Sequence, residues 1–174
     1  MRIIVIALIF FTMIGASCKK DKTEPTELSK LPPATQTGAK TFGCLVNGKA
    51  YLPYKDCSIC TPPLQFYYDN TSGGQFGISA ANFNQTISIG IDSCISAKKY
   101  VYYVDPNHPI RFAYRLNTYD ALSVFDTLVI ASGYLNMSRF DLTSGIFSGT
   151  FEFTLSKQGH ETINVTNGRF DAKL

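Results

Sequence analysis

The sequence contains no tryptophan, only two histidines and little net charge. The formal charge of +3 is too small to indicate a nucleic-acid partner. No segment beyond the first residues repeats apolar side chains with the 3.6-residue period of a helix. The sequence also lacks a Gly-x-Ser-x-Gly elbow and a metalloprotease helix motif. These absences disfavour helical folds and the common hydrolase classes, and the sequence predicts no cofactor.

The longest apolar run lies at the start of the chain. A charged residue, Arg2, precedes apolar residues 3–14, and three small residues then lead to Cys18. This order is typical of a secretory signal peptide, and the run is too short for a transmembrane helix, which needs about 20 residues. A cysteine directly after the small residues predicts a bacterial lipoprotein. We therefore assign residues 1–17 to a signal peptide and expect a lipid on Cys18 that anchors the protein to a membrane.

Residues 18–40 have the composition of a tether. They include eight charged residues and three prolines, and their only large apolar residues are Leu28 and Leu31. Such a stretch buries too little apolar surface to offset the entropy of ordering it. As a flexible coil it would span roughly 26 Å. The prediction is a disordered, lipidated tether over residues 18–40 that holds one folded domain, residues 41–174, away from the membrane.

From residue 41 the sequence consists of short alternating runs separated by turn residues. The clearest alternation covers residues 85–91, where isoleucines alternate with small or polar residues. About ten such runs predict an all-β fold, a single antiparallel β-sandwich, with a β-barrel as the alternative. Residues 117–126 are predicted as a connection. The other predicted strands cover residues 64–68, 75–82, 98–104, 110–116, 127–131, 134–140 and 147–155.

Two Asn-Gly pairs are strong signals for two-residue hairpin turns. The first pair, at 47–48, predicts that residues 41–46 pair with residues 49–54. The second pair, at 167–168, predicts that residues 162–166 pair with residues 169–173, a register that places apolar residues on one face.

A short internal echo links the last third of the chain to its end. Arg139-Phe140-Asp141 recurs thirty residues later as Arg169-Phe170-Asp171. The favoured interpretation is that each phenylalanine points inward while the arginine and aspartate form a solvated pair. Capture of a ligand by these pairs is the alternative.

Four cysteines follow the predicted lipidation site: Cys44, Cys57, Cys60 and Cys94. An even number in an exported chain predicts structural disulfides, with three connectivities open. The Cys-x-x-Cys at 57–60 precedes two prolines, which disfavour the helix that a redox motif needs. A four-cysteine zinc site would lack its second Cys-x-x-Cys. Disulfides are therefore favoured, and no metal site is predicted.

The tyrosines are the best candidates for binding. Adjacent strand residues point to opposite sides, so one residue of Tyr67 and Tyr68, and one of Tyr102 and Tyr103, should face outward. Exposed rings with a polar end suit contacts with sugars or proteins. The alternative is that tyrosine simply suits strands, and scattered exposure needs no explanation.

Catalytic residues are not predicted. His108 and His160 lie in predicted loops, and the folded part contains only two glutamates, Glu152 and Glu161. A glycosidase pair would therefore need aspartates from turns. Among the functions considered, a hydrolase is the least favoured.

Motifs at both ends of the domain resemble a known protein family. Residues 41–49 read TFGCLVNGK, residues 148–154 read SGTFEFT, and residues 166–171 read TNGRFD. With these motifs, a lipidated cysteine, a tether and one β-rich domain, the chain resembles a family of uncharacterised outer-membrane lipoproteins of the Bacteroidota. The resemblance implies an outer-membrane location and supplies no catalytic residues.

Two smaller patterns belong with this resemblance. The charged residues 19–24 resemble a surface-export signal, and both the surface and the periplasmic face stay open. Asp126-Thr127-Leu128 resembles a three-residue O-glycosylation site at Thr127. The sequence therefore predicts a non-catalytic, lipid-anchored protein of the cell envelope that binds a glycan or a protein. The alternative is a structural or assembly component of the outer membrane.

Overall fold

A computed structural model describes residues 24–54, 61–71, 73–83, 85–103, 109–116, 120–123 and 129–174. Within these ranges no helix is both long enough and apolar enough to cross a membrane. The described part contains one 3₁₀ helix and eleven strands. In chain order they are the helix Glu27–Lys30, β1 Thr41–Val46, β2 Lys49–Tyr51, β3 Leu64–Asp69, β4 Gln75–Asn82, β5 Gln85–Ile91, β6 Lys99–Val101, β7 Ile110–Leu116, β8 Asp120–Ser123, β9 Ile130–Asp141, β10 Ile146–Ser156 and β11 Ile163–Lys173.

The strands form two antiparallel sheets. The six-stranded sheet has the order β2-β1-β11-β10-β9-β6, and the five-stranded sheet has the order β3-β4-β5-β7-β8. In the part of the chain that the structure describes, the sheets are separate layers and do not close into one barrel. The predicted all-β sandwich is therefore confirmed.

The core lies between the two sheets and is rich in phenylalanine. Phe76 of β4 stacks on Phe147 of β10 with ring centroids 5.5 Å apart, and Phe112 of β7 stacks on Phe153 of β10 at 4.5 Å. All four side chains are at most 2% exposed. Burial of each side chain contributes about 2 kcal/mol, so these stacks hold the two sheets face to face.

Most strands lie where the alternation predicts them, but β6 covers only Lys99–Val101 of the predicted strand 98–104. The observed bounds of β4, β5 and β7 equal the predicted ones. Residues 127–131 and 134–140 were predicted as two strands, and β9 instead runs unbroken through Ile130–Asp141. The predicted connection over residues 117–126 contains the short strand β8.

The two Asn-Gly pairs differ in structure. Asn47 and Gly48 have φ values of 47° and 79°, and Val46 pairs with Lys49, so the first predicted hairpin turn is confirmed. Its second strand is shorter than predicted, because β2 ends at Tyr51. The prediction of a second hairpin is wrong, because β11 continues as one strand through Asn167 and Gly168. Asn167 keeps the left-handed φ of a turn residue, 52°, but it forms part of a β-bulge.

Pairing on both sides explains the bulge. β11 lies between β1 and β10 and forms an antiparallel ladder with each of them, so folding it back on itself would break both ladders. Gly168 also lies against Phe151: a Cβ at this position would be 2.5 Å from the ring. The second glycine therefore makes room for a neighbouring aromatic ring, whereas the first permits a turn.

The segment predicted as a disordered tether is ordered from Glu24 onward, so that prediction is wrong for residues 24–40. The 3₁₀ helix Glu27–Lys30 lies beside β2, the edge strand of the six-stranded sheet. There the Glu27 carboxylate accepts a hydrogen bond from the backbone N–H of Ala50 at 2.7 Å. This contact covers part of an otherwise open strand edge.

Residues 31–40, which we call the strap, continue across the outer face of the six-stranded sheet. Their main anchor is Asp171 of β11, whose side chain is completely buried. Its carboxylate accepts six hydrogen bonds of 2.6 to 3.3 Å, from the backbone N–H groups of Thr37, Gly38 and Ala39 and from the hydroxyl groups of Thr35, Thr37 and Ser148. Burial alone would raise the pKa of Asp171, but the hydrogen bonds outweigh it and hold the pKa well below its usual range.

Both copies of the Arg-Phe-Asp echo contact the strap. Arg139 pairs with Asp141 at 2.8 Å and also donates a hydrogen bond to the backbone carbonyl of Gln36. The predicted solvated pair is therefore confirmed for the first copy. For the second copy it is wrong, because Asp171 is buried beneath the strap and Arg169 donates to the carbonyl of Pro32 at 3.3 Å.

Candidate functional site

The four tyrosines predicted as binding residues divide into two exposed and two packed rings. Tyr67 is 53% exposed and Tyr103 is 62% exposed. Tyr68 and Tyr102 pack against the core, and the Tyr68 hydroxyl donates to the backbone carbonyl of Cys94 at 3.2 Å. The expected outward residue in each adjacent pair is confirmed. The exposed rings do not share one site, since Tyr67 lies in the five-stranded sheet and Tyr103 follows β6 of the other sheet.

Tyr67 begins a row of four residues across the outer face of the five-stranded sheet. Antiparallel register places Tyr67 opposite Gly77, Gly77 opposite Gly90, and Gly90 opposite Arg111. The Tyr67 ring lies directly over Gly77, where an added Cβ would be only 1.8 Å from the Tyr67 Cε1 atom. From the other end of the row, the Arg111 side chain lies over Gly90, with Nε 3.5 Å from the position of an added Cβ.

A second row of small residues completes the floor of this surface. Ser79, Ser88 and Ala113 are paired across β4, β5 and β7. Together with Tyr67 and Arg111 they line a groove with a volume of about 300 Å³. We call this surface the Tyr67 groove. Because its floor carries only small side chains, a flat ligand can approach the sheet closely beside the ring and the guanidinium group.

The arginine end of the Tyr67 groove is held in place by an ion pair. The two terminal nitrogens of Arg111 each lie 2.6 Å from a different carboxylate oxygen of Asp92. This two-point contact fixes the plane of the guanidinium group and leaves both side chains about one third exposed. The guanidinium group is therefore held in one orientation at this end of the groove.

The chemistry of the Tyr67 groove suits binding. An exposed aromatic face stacks on apolar ring surfaces, while serine hydroxyls and a guanidinium group form hydrogen bonds to hydroxyl groups. Among the described residues, no group of three or more His, Cys, Asp or Glu side chains is arranged to hold a metal ion. No family model, curated protein or solved structure matches this chain.

A second cavity, of about 310 Å³, opens at one end of the sandwich. His160 and Glu161 line it together with Gln85, Tyr114 and several apolar residues. The Glu161 carboxylate accepts a hydrogen bond from the Asn47 amide at 2.8 Å, so it supports the neighbouring hairpin turn. This is where the structure places one of the two histidines considered for catalysis. The prediction that the protein is not an enzyme stays a prediction.

The cysteines differ from their predicted role. Cys44 and Cys94 are free thiols in the structure and are completely buried, which contradicts the disulfide prediction for these two residues. Each lies in the core, where burial raises the pKa of its thiol. Five other predicted or considered positions lie outside the described residues: Cys18, Cys57, Cys60, His108 and Thr127.

Sequence reasoning missed three parts of the Tyr67 groove: Gly77, Arg111 and Asp92. Alternation alone places Ser88 and Gly90 on the outer side of β5, but it does not tell which residues of neighbouring strands lie beside them. The missing information is cross-strand register. A signal was present in the paired glycines at 77 and 90, since glycine inside a strand often marks close approach by another group.

Proposed function

We propose that this protein is a non-catalytic binding module that captures carbohydrate in the Tyr67 groove. The observation that carries the proposal is the cross-strand row in which the Tyr67 ring and the Arg111 side chain lie over two glycines from opposite ends. A sugar ring has apolar C–H faces and a polar rim. The groove offers a flat ring for such a face and hydroxyl and guanidinium groups for the rim.

The environment proposed for this module is the outer membrane, to which a lipid on Cys18 would attach it. The signal-like residues 1–17 and the cysteine at 18 support this location, as does the resemblance to outer-membrane lipoproteins. A groove on an exposed sheet face suits this role, because no part of the described chain has to move for a polysaccharide to enter it.

A glycan array tests the proposal. The protein without residues 1–17 is applied to printed bacterial, plant and host glycans, followed by affinity measurements on any glycan bound. We expect Tyr67→Ala to weaken binding about five- to tenfold, the loss of one stacked ring. Tyr103→Ala is the matched control, since it removes an equally exposed tyrosine from the other sheet and should leave binding unchanged.

The Gly77→Ala variant tests the position of the Tyr67 ring separately from its presence, because it keeps Tyr67 and only displaces the ring. The added methyl group occupies the space of the ring, so Tyr67 must swing away from the floor. We expect Gly77→Ala to weaken glycan binding as Tyr67→Ala does, with unchanged circular dichroism. Absence of binding to any glycan, or binding that survives both Tyr67→Ala and Arg111→Ala, would overturn the proposal.

A further inference from the structure

The chain leaves the sandwich at one particular edge. Glu24, Pro25 and Thr26 are exposed, and the helix after them is fixed to β2 through the hydrogen bond from Ala50 to Glu27. β2 is one edge of the six-stranded sheet, and β6 is the opposite edge. Anything attached ahead of residue 24 is therefore held beside β2.

Apolar side chains are exposed at this same edge. Phe83, in the turn after β4 of the other sheet, is 71% exposed, and its ring lies 5.1 Å from that of Tyr54, which follows β2 and is 48% exposed. Leu28 of the helix and Leu52, which follows β2, are 47% and 37% exposed. We call these four residues the β2-edge patch. Phe83 also has a φ of 45°, a left-handed conformation that is costly for a bulky residue, yet its ring is directed to solvent.

Lysines lie around the patch. Lys30 and Lys40 line an apolar groove with Leu52, Pro53 and Pro63, and both are exposed, as is Lys49 at the start of β2. Aromatic rings at the interface, with lysines beside them, are the side chains that favour the boundary between a bilayer and water. The composition of this edge therefore suits a lipid surface.

The number of residues between Cys18 and Glu24 limits which edge of the domain can lie near a lipid attached at Cys18. Between Cys18 and Glu24 there are six peptide steps, which cover at most about 20 Å even when fully extended. This reach is too short for the domain to turn its opposite edge toward the anchor point, because six strands span about 24 Å. A domain anchored at Cys18 must therefore keep its β2 edge near the bilayer.

We propose that the β2-edge patch rests on the membrane surface, with Phe83 and Tyr54 in the headgroup region. This inference rests on the proposed lipid at Cys18. It places β6 and Tyr103 away from the bilayer. The outer face of the five-stranded sheet, with the Tyr67 groove, then stands at the side of the anchored module.

The absence of tryptophan from the sequence makes the proposal directly measurable. Residues 18–174 are produced with Cys57→Ser and Cys60→Ser, so that Cys18 is the one accessible thiol. Cys18 is then coupled to a maleimide lipid in phosphatidylcholine vesicles that contain nitroxide-labelled lipid. A single tryptophan is introduced as Phe83→Trp or, as the matched control at the opposite edge, as Tyr103→Trp.

We expect Trp emission in the Phe83→Trp variant to lose most of its intensity to the nitroxide lipid and to shift to shorter wavelength, while the Tyr103→Trp variant keeps its emission. Equal quenching in both variants, or no quenching in the Phe83→Trp variant, would overturn the proposal and leave the patch to a protein partner. Because the lipid is attached chemically, this result does not depend on natural lipidation. Natural lipidation is tested separately: labelled palmitate should be incorporated into the full chain and not into its Cys18→Ala variant.

Discussion

Cys44 and Cys94 are buried thiols in a chain whose first residues resemble an export signal. Each thiol is shielded by the core, and its raised pKa keeps it protonated and unreactive at neutral pH. Protection by burial thus replaces the disulfides that the cysteine count predicts for these two positions.

Thiol labelling tests this protection. In a chain with Cys18, Cys57 and Cys60 changed to serine, iodoacetamide should leave the native protein unlabelled and should add two labels after unfolding in guanidinium chloride. The control variant adds Gln158→Cys, an exposed loop position that should react in the native state. If unfolding without reductant released no reactive thiol, Cys44 and Cys94 would form a disulfide and the structural description of both would be wrong.

At the scale of single residues, alternation correctly predicted that one ring of Tyr67 and Tyr68 faces outward, because it depends only on the two-residue period of a strand. Tyr103 is exposed for another reason, since β6 ends at Val101. It could not predict that Gly77 forms the floor beneath Tyr67. That contact depends on the register between β3 and β4, which the sequence of either strand alone does not determine.

At the scale of strands, two identical dipeptides have different physical requirements. Gly48 has a positive φ and no atom within 4 Å of an added Cβ, so it needs only conformational freedom. Gly168 needs space, because the ring and backbone of Phe151 occupy the position of a side chain. Local sequence signals the left-handed asparagine in both pairs, but the neighbouring strands decide between a turn and a bulge.

Substitutions at these two glycines distinguish the requirements. Gly168→Ala should lower the free energy of unfolding by about 1–3 kcal/mol through overpacking. Gly48→Asn should change it little, since asparagine tolerates the left-handed region, whereas Gly168→Asn should be at least as harmful as Gly168→Ala. Urea unfolding of the three variants measures the difference. Equal stabilities of Gly168→Ala and Gly48→Asn would mean that the Phe151 ring moves aside without cost.

For the molecule as a whole, Asp171 joins the strap to the last strand, and composition gave no sign of this. Residues 18–40 are polar enough to predict disorder. That prediction uses only the composition of the segment itself, so it takes no account of a buried carboxylate more than 130 residues further along the chain. The physical reason for order is the set of five hydrogen bonds that strap residues donate to this carboxylate, which offsets the entropy of fixing the strap.

Replacing this carboxylate should release the strap. Asp171→Asn removes the charge and turns an amide N–H₂ group toward hydrogen-bond donors, so we expect the free energy of unfolding to fall by about 3 kcal/mol. Asp141→Asn, in the exposed copy of the echo, is the matched control and should have a smaller effect. Protease cleavage within residues 31–40 should increase only in Asp171→Asn.

Asp171 also makes the free energy of unfolding depend on pH. Its pKa in the folded state lies below the value of about 4 for an unfolded chain, so its contribution is fully present above that pH and is lost as the pH falls toward the folded pKa. Urea unfolding between pH 6 and pH 2 should therefore show a smaller acid-dependent loss in Asp171→Asn than in the wild type. Identical acid slopes would contradict the assigned role of the carboxylate.

The position of this anchor in the chain also sets an order of folding. Asp171 is 132 to 136 residues away from its partners in the strap. Contacts at such separations close late, because a long loop must be brought together first. A chain that emerges from the ribosome with its N-terminus first therefore keeps residues 31–40 accessible until β11 has followed. Docking of the strap is the step that distinguishes a completed molecule from a partial one.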